Sequence, residues 1–101
     1  MARSVHFHPL ARSDLLDIYT YIESRSGPER AGTYIDRVEQ LCRSLAVFPN
    51  RTRPRNDLMP GLRTMTLERR VLVVLTVTEM AVTILRVLYA GRDLTTEDIP
   101  Q

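Results

Sequence analysis

The stretch "VTILRVLYAGRDL" (Val82–Leu94) decides how the chain is read. Val82, Thr83, Ile84, Leu85, Val87 and Leu88 are strand formers, yet Arg86 stands among them. A guanidinium keeps its charge, so an arginine held in a dry sheet needs a partner or a wet edge. Simple alternation places Arg86 on the face of Val82, Ile84 and Leu88. Its head group then lies at the sheet's edge or meets a carboxylate there: either Arg86 is a structural ion-pair residue, or the strand presents it to another molecule.

Two more strands precede this one. Arg70 to Thr78 carries Val71, Leu72, Val73, Val74, Leu75 and Val77 almost without a polar break, the pattern of a central strand covered on both faces. Leu62 to Leu67 alternates, with Leu62, Thr64 and Thr66 on one face and Arg63, Met65 and Leu67 on the other. The intervening turns, Glu68-Arg69 and Glu79-Met80, lack the glycine or asparagine that tight hairpins prefer, which leaves their type open.

The first half is helical. After a short strand at Val5 to Phe7 and Pro9 at a helix start, Ala11, Leu15, Ile18 and Ile22 recur at spacings of four, three and four. Ser26-Gly27-Pro28-Glu29 ends this helix and begins a second, with Ser26 and Glu29 spaced as a capping box. Ala31, Tyr34, Val38, Leu41, Cys42, Leu45 and Phe48 form the second apolar side, Glu39 and Arg43 stand at i, i+4, and Pro49 closes the helix. So short a connection predicts an antiparallel helical hairpin. "PNRTRPRNDLMPG" (Pro49–Gly61) then breaks every period with three prolines, a glycine and three arginines, and reads as a surface loop of functional length.

The expected fold class is therefore α+β: an N-terminal strand, a helical hairpin, then a three-stranded antiparallel meander, with the first strand pairing across the domain. At 101 residues the chain is one domain, 1–101, with its core at about 5–94; residues 95–101 are expected as a loosely held tail. A two-helix layer covers one sheet face, so the strand Val71 to Val77 requires a second cover.

Apolar residues make up 44% and charged residues 26%, ordinary for a globular protein. Without a secretory or membrane-spanning run, the chain is expected in the cytoplasm, with no membrane partner. All fourteen basic residues are arginine, which excludes lysine chemistry. A net charge of +2 is too mild for a dedicated nucleic-acid binder, and direct sequence-specific nucleic-acid binding is not expected. Cys42 is the single cysteine and reads as a buried structural thiol. His6-x-His8 lacks a third ligand, so neither a metal nor another cofactor is expected.

Four motifs in order carry a resemblance: "HPLARSDLLDIYTYIESRSG" in the first helix, "A..Y..R....C.SLAVFP" in the second, "PGLR" at Pro60 to Arg63, and "ILRVLYAGRDL" at Ile84 to Leu94. Over about residues 5–94 the chain resembles the ParE branch of the ParE/RelE toxin superfamily, the toxic halves of bacterial toxin–antitoxin pairs. The resemblance implies a compact α+β toxin, held in a hetero-oligomer by a small acidic ParD-like antitoxin. It also implies DNA gyrase as the target in the ParE branch, and messenger RNA in the ribosomal A site in the RelE branch.

RNA cleavage needs a base, cations for the phosphate and an acid for the leaving oxygen. Arg63, Arg86 and Tyr89 supply three pieces of such a site, but no base accompanies them. The family often has histidine near the place of Tyr89, a departure that weakens an acid–base role. The expected function is thus gyrase inhibition by binding, without catalytic residues, through Arg53, Arg55, Arg63, Arg86, Tyr89 and Arg92. Each has a structural alternative: Arg53 and Arg55, with Arg51, as a solvated loop, Arg63 pairing with Asp57 or Glu68, Arg86 pairing with a carboxylate, Tyr89 packing, Arg92 bridging to Asp93. The competing functions are a RelE-like ribosome-dependent endoribonuclease and a non-toxic remnant that only binds antitoxin. An acidic amphipathic antitoxin helix is expected to supply the second cover of the sheet.

Overall fold

The computed structural model describes residues 3–89 and 93–100. Strand β1 (Ser4–Phe7) leads into helix α1 (Pro9–Ser26), helix α2 (Pro28–Ser44), a short edge strand β2 (Arg53–Pro54), and the meander β3 (Leu62–Leu67), β4 (Val71–Val77) and β5 (Ala81–Tyr89). The sheet order is β1-β5-β4-β3-β2, with β1 parallel to β5 and the other pairs antiparallel. This is the α+β fold that the sequence predicts, with a fifth strand added at the far edge.

Local chemistry sets the boundaries. His8 caps α1, its Nδ1 accepting from the Leu10 N–H at 3.0 Å. Gly27 sits at φ +89°, open to glycine at little cost, and its N–H reaches the Glu23 carbonyl at 2.9 Å. Ser26 and Glu29 do not form the expected capping box: Gly27 itself is the N-cap of α2, with no side-chain cap. Nor does Glu39 serve Arg43; it lies 3.9 Å from Arg12, while Arg43 stands over the Phe7 ring at 5.5 Å. Helix α2 stops at Ser44, so Phe48 leaves the apolar side and is exposed.

The two hairpin turns manage without glycine or asparagine. In the β4–β5 turn the Thr78 hydroxyl accepts from the Ala81 and Met80 N–H groups at 3.1 and 3.3 Å. In the β3–β4 turn Glu68 and Arg69 take φ of 52° and 61°, a strained choice for residues with a Cβ, and an ion pair from Arg37 holds Glu68.

The core lies in two layers. Between hairpin and sheet, Ala11, Leu15, Ile18, Val38, Cys42 and Leu45 pack on Val71, Val73, Leu75, Val82, Ile84 and Val87. On the opposite face Leu62, Val74 and Leu85 pack with Ile99, flanked by Leu58, Met59, Leu72 and Leu94. The segment expected as a loose tail is thus a cover: Ile99 is 4% exposed, and a 3₁₀ turn at Thr96–Asp98 is closed by a Thr95–Asp98 capping box. The long loop is likewise structured. Its 3₁₀ turn (Pro49–Arg51), buried Thr52 and strand β2 lead to Leu58 and Met59, which close the second layer. The second cover required of another molecule therefore comes, in part, from the chain itself.

Candidate functional site

The candidate residues fall at the two edges of the sheet. At one edge, β1 ends at Phe7 opposite Ile84, and β5 runs on to Tyr89 paired with β4 but with no strand on its other side among the described residues. A register shift between Val74 and Leu75 marks a bulge in the β4–β5 ladder: Val74 pairs with Arg86 and Leu75 with Ile84, leaving Leu85 over. The bulge resets the alternation on which the sequence reading of Arg86 rested. Val87 joins Val82 and Ile84 in the helix-side core, and Arg86 swings to the uncovered edge.

Asp14 of α1 waits there. Its carboxylate takes Arg86 bidentately, Nε to Oδ2 at 2.7 Å and Nη2 to Oδ1 at 2.9 Å, and also accepts from the Val87 N–H at 3.0 Å. The third arm of the guanidinium, Nη1, donates to the Asp98 carbonyl at 3.0 Å. The side chains are 19% and 11% exposed, so these charge-assisted bonds form away from bulk water. Hydrogen bonding to Asp14 raises the Arg86 pKa, against partial burial that lowers it. One carboxylate thus seals a free strand edge and neutralises the arginine, which in turn anchors the C-terminal cover.

At the opposite edge β2 pairs with Thr64 and Arg63 of β3, and Pro54 fits there because an edge strand needs no outward N–H. Arg63 meets neither Asp57 nor Glu68. Its Nε donates to the Thr52 hydroxyl at 2.5 Å and its Nη2 to the Thr52 carbonyl at 2.6 Å. Asp57 is taken instead by Arg55, bidentately at 3.0 Å in each arm, with the aspartate 64% exposed. That pair raises the Arg55 pKa and lowers that of Asp57. Arg53 is exposed and has no carboxylate within ion-pair distance among the described residues. Arg51, Arg53 and Arg55 border a cleft of about 360 Å³ whose floor is Thr64, Thr66 and Leu72.

Tyr89 is turned to the hairpin, edge-on to Tyr21 with ring centroids 5.5 Å apart. Burial, then the Tyr21 phenol, raise its pKa. Arg63, Arg86 and Tyr89 are therefore engaged by three different sets of partners. Arg92 lies outside the described residues. Cys42 is wholly buried, and desolvation pushes its thiol up to about 12, which keeps it from acting as a thiolate near neutrality.

Asp14, Thr52 and the Asp98 carbonyl are the partners that sequence reasoning missed. Only Asp14 left a signal. It stands three residues after Ala11 and four before Ile18, a carboxylate inside an apolar stripe, where burial demands a cation.

Comparison with known proteins agrees with this architecture. Residues 5–94 match the family described as "ParE toxin of type II toxin-antitoxin system, parDE". A curated relative, Toxin ParE3 of Caulobacter vibrioides, is 33% identical over 64 residues; the match covers 63% of this chain and 63% of that protein, under two thirds of its length. A solved structure titled "Chromosomal ParDE TA system from P. aeruginosa" superposes with a TM-score of 0.77 at 27% identity, covering 89% of this chain and 98% of the other. The chain belongs to the ParE toxin family of type II toxin–antitoxin systems.

Proposed function

We propose that this protein inhibits DNA gyrase by binding, without covalent chemistry of its own, and is neutralised by an acidic ParD-like antitoxin in the cytoplasm. The observation that carries this reading is how the arginines are used. Arg63 and Arg86, two members of the imagined nuclease site, are engaged by Thr52 and by Asp14 with the Asp98 carbonyl. A phosphate would have to displace those partners. Arg51, Arg53 and Arg55 instead border an open cleft at the β2 edge, with apolar Leu72 and two threonines beneath them. An acidic amphipathic segment fits this place: carboxylates meet the guanidiniums, and an apolar side chain covers what Leu58, Met59, Leu94 and Ile99 leave uncovered. The antitoxin's share of the second sheet face is then this cleft alone.

The decisive experiment runs purified chain through a gyrase supercoiling reaction beside a cell-free translation reaction. Inhibited supercoiling with translation intact is the expected result. Messenger RNA cut within codons, with supercoiling untouched, overturns the reading in favour of the nuclease.

A further inference from the structure

We propose that a second cleft, between the tip of the helical hairpin and the β3–β4 turn, binds nucleoside phosphates. The cleft has a volume of about 540 Å³, within the range of small-molecule sites, and lies between the Tyr21 and Tyr34 rings and the side chains of Arg25, Arg30 and Arg70. A neighbouring recess of about 380 Å³ shares Tyr21, Tyr34 and Arg70 and extends to Arg69 and Tyr89. The larger cleft shares no lining residue with the edge sites described above; the recess shares only Tyr89.

Three features distinguish it from a surface dent. First, the Tyr34 hydroxyl is buried at the cleft wall and has no hydrogen-bond partner among the described residues, a state that costs stability and that a ligand relieves once the phenol turns toward it. Second, Arg30, Arg69 and Arg70 have no carboxylate within ion-pair distance among the described residues, and Glu29 is the one acidic residue in the lining. Third, the left-handed pair Glu68 and Arg69 forms the turn that carries Arg69 and Arg70 to the rim, and the Arg37–Glu68 ion pair holds that turn.

The ligand class follows from the walls. Free guanidiniums with a phenolic donor suit a phosphate, which accepts bidentately from arginine. The aromatic wall suits a flat ring: Tyr21 stands edge-on to Tyr89 and already carries the Arg25 guanidinium at 4.6 Å from its centroid. A base joined to a phosphate satisfies both.

Calorimetric titration of the full chain with ADP, pyrophosphate and adenosine tests this. ADP is expected to bind about tenfold or more tightly than pyrophosphate, with adenosine weaker still. Arg70→Gln should lower ADP affinity about tenfold. Tyr34→Phe should lower it several-fold while leaving the melting temperature unchanged or higher, because an unsatisfied hydroxyl has been removed. Equal affinity for ADP and pyrophosphate, tighter binding of a single-stranded oligonucleotide than of ADP, or no binding at all overturns the proposal. So does a Tyr34→Phe protein that melts lower with affinity intact. None of these readouts depends on gyrase.

Discussion

The two edges of the sheet put the same side chain to opposite uses. At the β5 edge an arginine within a strand is saturated by its own chain: Asp14 takes two arms and the Asp98 carbonyl the third. At the β2 edge Arg63 is likewise held, by Thr52, but Arg53 in the two-residue outermost strand and Arg55 just beyond it are not. Arg55 holds only the exposed Asp57, and Arg53 has no ion-pair partner among the described residues. What separates them is depth. A guanidinium at the β5 edge has lost much of its hydration and must recover it from protein groups, whereas one at the β2 edge keeps water until a partner arrives. An arginine amid aliphatic residues is thus part of the scaffold, and an arginine among prolines is the more available contact.

The largest effect should come from breaking the β5 edge. Arg86→Met leaves the Asp14 carboxylate with the Val87 N–H alone, and Asp14→Ala leaves a desolvated cation. Each should destabilise by about 3–5 kcal/mol in chemical denaturation. The double variant Asp14→Leu, Arg86→Met should recover most of that, retaining a deficit of about 1–3 kcal/mol for the orphaned Val87 N–H. Additive losses would mean that the two side chains do not act as a pair.

Next comes the cover that Arg86 anchors. Ile99→Ala uncovers Leu62, Val74 and Leu85 and should cost about 2–4 kcal/mol. Hydrogen exchange should then rise on the outer face of β3 and β4. Unchanged exchange would return residues 93–100 to the status of a tail.

These two predictions also show where the sequence was readable. The 3.6 period of α1 and α2 and the unbroken apolar run of β4 specify the hairpin-on-sheet arrangement, because burial of one face leaves few alternatives. Asp14 left a signal in the stripe of α1, but the side of the sheet on which Arg86 meets it was hidden for a different reason. A bulge at Leu85 shifts the face by one residue, and nothing in "VTILRVLY" announces it. The tail looked polar because a single isoleucine after Thr95, Thr96, Glu97 and Asp98 makes no pattern, yet Ile99 with Leu94 and the Arg86 bond to the Asp98 carbonyl dock it. Thr52 escaped because a loop with three prolines has no period from which to infer burial.

At the β2 edge the effects shrink. Arg55 lowers the Asp57 pKa, so the pair adds stability above the ordinary carboxylate range and loses it as pH falls through the depressed value. Asp57→Asn should be slightly less stable than the parent at neutral pH, with the gap closing below about pH 4 and shrinking in high salt. A gap that persists in acid would assign the stabilisation to something other than charge.

The smallest effect on stability is expected at Arg53, and it divides the two edges most cleanly. Arg53→Glu removes no ion pair and touches neither core layer, so unfolding should shift by less than about 0.5 kcal/mol. If this edge receives acidic groups of the antitoxin, the same substitution places like charge against them and should weaken the complex about tenfold or more, largely through slower association at low salt. A stable Arg53→Glu protein that binds its antitoxin as tightly as the parent would make the β2 edge an ordinary solvated loop. The recognition surface would then have to be sought on the hairpin face, where Leu16 stands 65% exposed between Arg12 and Tyr19.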